Sequence, residues 1–374
     1  MTRRGFTLIE VMVTVLIGAA TVVAAAKVAE ALVRQSAKGR QATDYTARSR
    51  LLGRQLREDL RAAGLGSSGA IAVVPGDPAL GGYLPVSSAG GRFSIPAVAG
   101  ANRLAAGEAR EGSDAIQLVV PNPRTQRFVV RRAPAGSTEL PFDGDGQPFT
   151  DATCRFVYVN DQSSPTGAGR VGLFGKSGAS DDGAFTHGAL PFTVAPGSAV
   201  TCARVSTYWV DGDGHLHRSD WSGGALESLD GATGRVFFDP GDDQILAAGV
   251  VDLQVAHRVS AEIYRSNGMD PPTADPDAQW VFAGAGGNPD GLMASPEAWF
   301  EVRQVRYHLL LRRLRRIDDS LGRMELPGRE DRSGEDLPEL YRASSPAWLS
   351  GSELLVNLRL FDLGAPEGLP AEPF

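Results

Sequence analysis

The chain has 374 residues, of which 42% are hydrophobic and 22% charged, a globular balance that excludes an intrinsically disordered protein. Its 45 glycines and 24 prolines place much of it in turns and strands rather than helices. The net charge of −7 is unevenly spread. Residues 1–63 hold 11 Lys+Arg against 5 Asp+Glu, and the remaining 311 residues carry a net −13, which argues against general binding to a nucleic-acid backbone.

The first predicted element is apolar. Residues 6–26 read FTLIEVMVTVLIGAATVVAAA, 21 positions with no proline and a single charge. At ~1.5 Å per residue a helix there spans about 31 Å, the thickness of a bilayer core. The charge is Glu10. A carboxylate at membrane depth costs at least ~2.5–3.5 kcal/mol on insertion scales and marks a functional position. It calls for a cation, and neither Arg3 nor Arg4 stands at i,i+4 spacing from it. A cation from another molecule would serve. One alternative is an ordinary secretory signal, with Arg3 and Arg4 as its basic end and Ala24-Ala25-Ala26 as its cleavage site. An acid within the apolar stretch and a Gly5–Phe6 junction ahead of it have no role in such a signal, nor in a plain bitopic anchor.

Gly5-Phe6-Thr7-Leu8-Ile9-Glu10-Val11-Met12 resembles the class III signal of type IV prepilins and of type II secretion pseudopilins. The resemblance implies cleavage after Gly5 by a prepilin peptidase and methylation of the new N-terminal residue, Phe6. It also implies that Glu10 pairs with the Phe6 amine of a neighbouring subunit. The expected location is the inner membrane, in a single pass with the body in the periplasm, and later a pilus at the cell surface. Lys27, Arg34, Lys38 and Arg40 outnumber Arg3 and Arg4, so flanking charge alone would put the body in the cytoplasm. Large domains translocate regardless of such charge, and the cleavage motif is given the greater weight.

The helical pattern continues past the membrane. Leu52, Leu56, Leu60 and Ala63 form one apolar stripe, and Gly64 and Gly66 supply a left-handed stop. Unbroken from Phe6 to Ala63, the helix has 58 residues and a length of about 87 Å. Arg50, Arg54, Arg57 and Arg61 make a basic face, read as a solvated surface, with complementarity to acidic subunits in a filament as the alternative.

Beyond the helix, residues 67–110 read as loop with short strands. Strands are predicted at 115–120, 127–132, 155–159, 205–210, 234–238, 250–259, 302–311 and 354–361, from β-branched and aromatic residues between turn signals. Residues 160–200, 265–298 and 318–346 read as long loops. The predicted fold is α+β: a long N-terminal helix, half transmembrane and half amphipathic, packed on a largely antiparallel sheet. The domains expected are a leader at 1–5, a membrane and filament-core helix at 6–33, its amphipathic continuation at 34–66, and a β-rich body at 67–374. Tyr208-Trp209-Val210-Asp211-Gly212 with Leu216-His217-Arg218 resembles a hairpin of PilW-like minor pilins and larger minor pseudopilins. LREDLRAAG at 56–64, the run from Ala248 to Val255, and the stretches 302–312 and 354–359 resemble further parts of them.

The polar motifs of the body suit turns better than chemistry. Asp211-Gly212-Asp213-Gly214 reads first as a hairpin turn, with Asp211 and Asp213 as the candidates should calcium bind. Asp143-Gly144-Asp145-Gly146 reads the same way. His215 and His217 share a strand face, but spacing implies no third metal ligand; no metal or cofactor is expected. Cys154 and Cys202 are read as one disulfide if the body is extracytoplasmic, or as two buried thiols otherwise. The basic run 312–316, followed by Asp318-Asp319, reads as a solvated strand end. No nucleophile elbow, phosphate loop or dinucleotide fingerprint appears, so no catalysis is expected. The expectation is a minor type IV pilin of the PilW-like kind, at or near the pilus tip, priming assembly and anchoring an adhesin. Its partners would be prepilin peptidase, major and other minor pilins and a tip adhesin, with no nucleic acid. A minor pseudopilin of a type II secretion system is the nearest alternative. A periplasmic binding protein or enzyme behind an anchor is the alternative of another class.

Overall fold

The computed structural model describes residues 8–67, 69–74, 77–80, 83, 86–87, 93–105, 107, 109–144, 149, 154–161, 170–180, 184–187, 190–229, 236–271, 280–281, 292–293, 296–312 and 346–354. The chain divides into two compact units between Leu52 and Gly53. The boundary falls inside the first helix, α1 (Leu8–Ala62), so the last turns of that helix belong to the globular unit.

In the first unit the apolar residues of α1 turn outward, from Leu8, 81% exposed, to Val33, 69% exposed. No proline interrupts the helix, and its two apolar-segment threonines satisfy their hydroxyls internally. Thr14 donates to the Glu10 carbonyl, and Thr21 to those of Ile17 and Gly18, each at 2.8 Å.

In the second unit the predicted stripe is buried at Leu56, Leu60 and Ala63. The helix stops because Gly64 and Gly66 take positive φ of 62° and 76°. The exit is then tied down: the Gly64 amide donates to the Val119 carbonyl at 2.9 Å, and the Tyr158 hydroxyl donates to that of Leu65 at 2.7 Å. A Cβ on Gly66 would lie 1.9 Å from Asn160 Nδ2, so a larger residue would have to displace that side chain as well as adopt the left-handed φ of 76°.

The strands follow as β1 (Ala70–Val73), β2 (Val86–Ser87), β3 (Phe93–Pro96), β4 (Val98–Ala101), β5 (Ala115–Pro121), β6 (Arg127–Phe128) and β7 (Glu139–Pro141). Next come β8 (Phe156–Asp161), β9 (Arg170–Ser180), β10 (Ala184–His187), β11 (Ala199–Val210), β12 (His215–Asp220) and β13 (Glu227–Ser228). Last are β14 (Phe237–Phe238), β15 (Asp243–Ala248), β16 (Val250–Val259), the short helix α2 (Ala261–Ser266), β17 (Val302–Arg312) and β18 (Pro346–Leu354). The main sheet runs β15-β12-β11-β8-β9-β1-β3-β2. Its pairs are antiparallel except β1 with β9, which meet in parallel at Ala72 and Gly172. β11 is the central strand, paired along one edge with β12 and β8 and along the other with β5 and β6. β16, β17 and β18 form a second antiparallel sheet. Asp114 stitches the two together: its amide donates to Leu253 O at 2.8 Å and its carboxylate accepts from Val255 N at 2.7 Å. This is the α+β fold expected for a pilin-like chain.

The strand predicted at 250–259 has those bounds, and those at 115–120 and 302–311 each run one residue longer. The 205–210 strand begins six residues earlier, at Ala199. That at 127–132 shrinks to Arg127–Phe128, followed by an isolated bridge from Val129 to Phe142. The loop predicted over 160–200 is corrected by β9 and β10. Glycines at 172, 175 and 178 are weak strand formers, but pairing with β8 over Asp161–Phe156 fixes the segment as a strand. The glycines serve close approach: a Cβ on Gly175 would sit 2.3 Å from Ala79 Cβ and 2.6 Å from Asp77 Oδ1. The predicted strand at 354–361 lies, beyond Leu354, outside the described residues, as do the basic run after Arg312 and residues 313–345.

Candidate functional site

Gly5 and Phe6 lie outside the described residues, three and two positions ahead of the start of α1. Glu10 stands in the first turn of α1, where a carboxylate complements the positive end of the helix dipole. Around it Leu8, Ile9, Val11, Met12 and Val13 are all exposed. A helix with apolar side chains on every face demands a cover of lipid or of other helices. Leu8–Val33, 26 residues, is long and apolar enough to cross a membrane.

The C-terminal turns of α1 carry a buried polar anchor within the globular unit. Asp59, on the helix flank beside Leu56 and Leu60, is buried and accepts from Arg204 Nη2 and from the Tyr208 hydroxyl, both on β11. Burial alone would lower the Arg204 guanidinium, but the Asp59 carboxylate beside it prevails and raises it. Burial first, and then Asp59, push the Tyr208 phenol well above its ordinary value. Asp220 Oδ1 stands 4.0 Å from Arg204 Nε and also accepts from Ser206 Oγ at 2.5 Å. On the outer side of the helix, Arg54 and Glu58 form an exposed i,i+4 pair at 2.7 Å, as part of the predicted basic face.

Cys154 and Cys202 form a disulfide, with Cα atoms 5.3 Å apart, inside a core cluster that includes Phe142, Phe149, Val157, Phe174 and Phe192. It joins the residue two positions ahead of β8 to the neighbouring strand β11.

Asp211, Gly212, Asp213 and Gly214 turn β11 into β12, with Gly214 at φ 83°. Asp213 is exposed on the turn. Asp211 instead folds back: Oδ1 accepts from the His215 amide at 2.7 Å, while Oδ2 lies 2.9 Å from His215 Nδ1 and 3.0 Å from His217 Nε2. Partial burial would raise this carboxyl, but the His215 amide and the two imidazoles outweigh it and hold Asp211 at about 2. The other ring nitrogen of His217 meets Asp243 of β15, and its ring stacks on Trp209 with centroids 4.5 Å apart. Spacing alone gave two histidines without a third ligand; the hairpin brings Asp211 to them. The signal for Asp211 was its place at the mouth of a turn that ends at His215. Asp243, 26 residues from His217, left no local signal. Asp143 serves as a structural acceptor, taking the Phe128 amide at 2.6 Å, and Asp145 lies outside the described residues.

An outward-facing apolar helix joined to a β-rich body defines a membrane-anchored α+β protein whose helix is built to be covered by other molecules. Residues 1–26 match the family model of the prokaryotic N-terminal methylation motif, which supports a type IV pilin-like protein or pseudopilin. The motif implies processing by a prepilin peptidase and assembly with other pilins. Searches of curated proteins and of solved structures gave no match to the chain.

Proposed function

We propose that the chain is a minor type IV pilin of the PilW-like kind, cleaved after Gly5, methylated at Phe6 and placed at or near the tip of a pilus. Its role is structural: it primes assembly and presents the body outside the cell, where it anchors an adhesin. The observation that carries this reading is the methylation motif over residues 1–26, continuous with a helix whose apolar side chains from Leu8 to Val33 are exposed. Such a helix is stored in lipid after the leader is removed. It then moves sideways into a bundle, where neighbouring helices replace lipid and Glu10 meets the Phe6 amine of the next subunit. A body of more than 300 residues suits a rare position better than a shaft that repeats it.

Mass spectrometry of the protein from membrane and fibre fractions tests the first step. The expected mature chain begins at N-methylated Phe6. Phe6 still joined to its leader, or a start near Lys27, would overturn the reading, the latter in favour of a secreted periplasmic protein. The same N-terminus serves a minor pseudopilin of a type II secretion system. Deletion of the gene separates the two: loss of pili marks the pilin, and loss of enzyme export with pili intact marks the pseudopilin. Labelled antibody at fibre ends, rather than along the shaft, is the expected result for tip placement.

A further inference from the structure

We propose that Asp211, His215 and His217, with Asp243 behind them, form a binding site for a divalent transition metal of zinc-like chemistry at the turn end of the β11–β12 hairpin. One ligand atom each from Asp211, His215 and His217 lies within 4.8 Å of the others, a spacing that one ion can bridge; Asp211 Oδ2 is 2.9 Å from His215 Nδ1 and 3.0 Å from His217 Nε2. Two imidazoles and one carboxylate are the donor set of zinc and its neighbours, whereas calcium takes six to eight oxygens.

The far side of His217 carries the argument further. Its Nδ1 faces Asp243 while its Nε2 faces Asp211, so both ring nitrogens lie against carboxylate oxygens. A neutral imidazole has one N–H, and the second contact needs either a second proton or a metal ion in its place. A ligating histidine that donates its other N–H to a carboxylate is the usual support of a metal centre. Asp243 fills that position.

The site is also held in advance. The His215 amide takes Asp211 Oδ1, which leaves Oδ2 turned toward the two rings. Trp209 stacks on His217 at an interplanar angle of 22° and fixes its plane. His217 is nearly enclosed, while the His215 side chain is 32% exposed and gives an ion a path from solvent. A bound ion would cross-link the turn to β12 and stiffen this end of the hairpin, far in sequence from the helix that assembles.

The test uses the full chain, made without a histidine tag, purified in detergent and stripped with a chelator. It is titrated with Zn²⁺ alone, passed through gel filtration and analysed for bound metal, and Co²⁺ is then used as a spectroscopic probe. The expected result is one zinc per chain, a zinc-dependent rise in Tm, and cobalt absorption of four-coordinate intensity. His215→Ala, at the most exposed ligand, should lose the ion, the zinc-dependent Tm rise and the cobalt band. Asp243→Asn should keep the stoichiometry but weaken zinc binding ~10–100-fold. The proposal is overturned if the parent chain holds no more zinc than His215→Ala. It is equally overturned if cobalt in the parent chain gives only the weak absorption of a six-coordinate aquo ion.

Discussion

Asp59 and Tyr208, 149 residues apart, meet in a buried hydrogen bond that joins the last turns of α1 to the central strand of the sheet. Arg204 completes the group from the same strand. Leu56 and Leu60 supply apolar burial around it, but apolar contacts alone do not choose one rotation of a helix over a sheet. Asp59 does, because its carboxylate is satisfied only when it faces Arg204 and Tyr208. Asp59→Ala leaves the Tyr208 hydroxyl buried without this acceptor, at a cost of ~1–3 kcal/mol. Arg204 loses its nearest carboxylate but is 34% exposed and keeps Asp220 nearby, so its share is small. The expected loss is therefore ~1–3 kcal/mol in urea unfolding, with Tyr208→Phe costing about 1 kcal/mol. Equal stability of Asp59→Ala and the parent would show that the anchor contributes nothing.

Parts of this architecture were legible from sequence for physical reasons that differ by element. The stripe at Leu56, Leu60 and Ala63 could be read because helical period and burial coincide there. β16 could be read because its run of Val, Leu and Ala is covered on both faces, so hydrophobicity and strand propensity agree. β9 could not. Its glycines are weak strand formers in isolation, and only pairing with β8 and the room needed by Asp77 and Phe192 account for them. Asp59 appeared in the motif LREDLRAAG without a role, since its partners come from a strand far along the chain. The Asp211 cluster was half legible: the two histidines follow from strand alternation, but Asp243 arrives through a β-bulge between Leu216 and His217.

The disulfide should matter most in the body. Cys154–Cys202 closes 48 residues of chain and is buried among aromatic side chains. Closing a loop of that size is worth ~2–4 kcal/mol, chiefly by restricting the unfolded chain. Replacing both cysteines by serine should lower the urea midpoint accordingly, and dithiothreitol should destabilise the parent but leave the variant unchanged. A midpoint indifferent to reductant would mean that the two sulfurs are not joined in the isolated protein.

Acid should weaken the body through His257. Burial drives this imidazole down to about 3, with the Val281 backbone only partly opposing. In the unfolded chain it titrates near its ordinary value of 6.5. The depressed folded value means that the unfolded state binds the proton first as pH falls. Stability is thus intact above about 6.5 and declines from there toward 3, at up to ~1.4 kcal/mol per pH unit. His257→Leu removes this proton site. Between pH 6.5 and 5, before most carboxylates titrate, the variant should show a flatter stability profile than the parent. Parallel profiles would rule out a neutral buried His257.

Glu10→Ala tests the membrane-embedded end of the mechanism separately from the body. The substitution removes a charge from an apolar segment, so insertion should be at least as good as in the parent. On the proposed reading the cleaved junction is Gly5–Phe6, at least four residues upstream of the change, so processing should proceed. What the proposed mechanism would lose is the pairing of Glu10 with a neighbouring subunit's amino terminus. The expected phenotype is mature, membrane-held protein that enters sheared fibres poorly, seen by immunoblot of membrane and fibre fractions. Gly5→Leu should give the complementary outcome, an uncleaved precursor confined to the membrane. If Glu10→Ala enters fibres at the parental level, neutralisation by a neighbour is not what places this helix. The apolar surface from Leu8 to Val33 would then be sufficient for assembly.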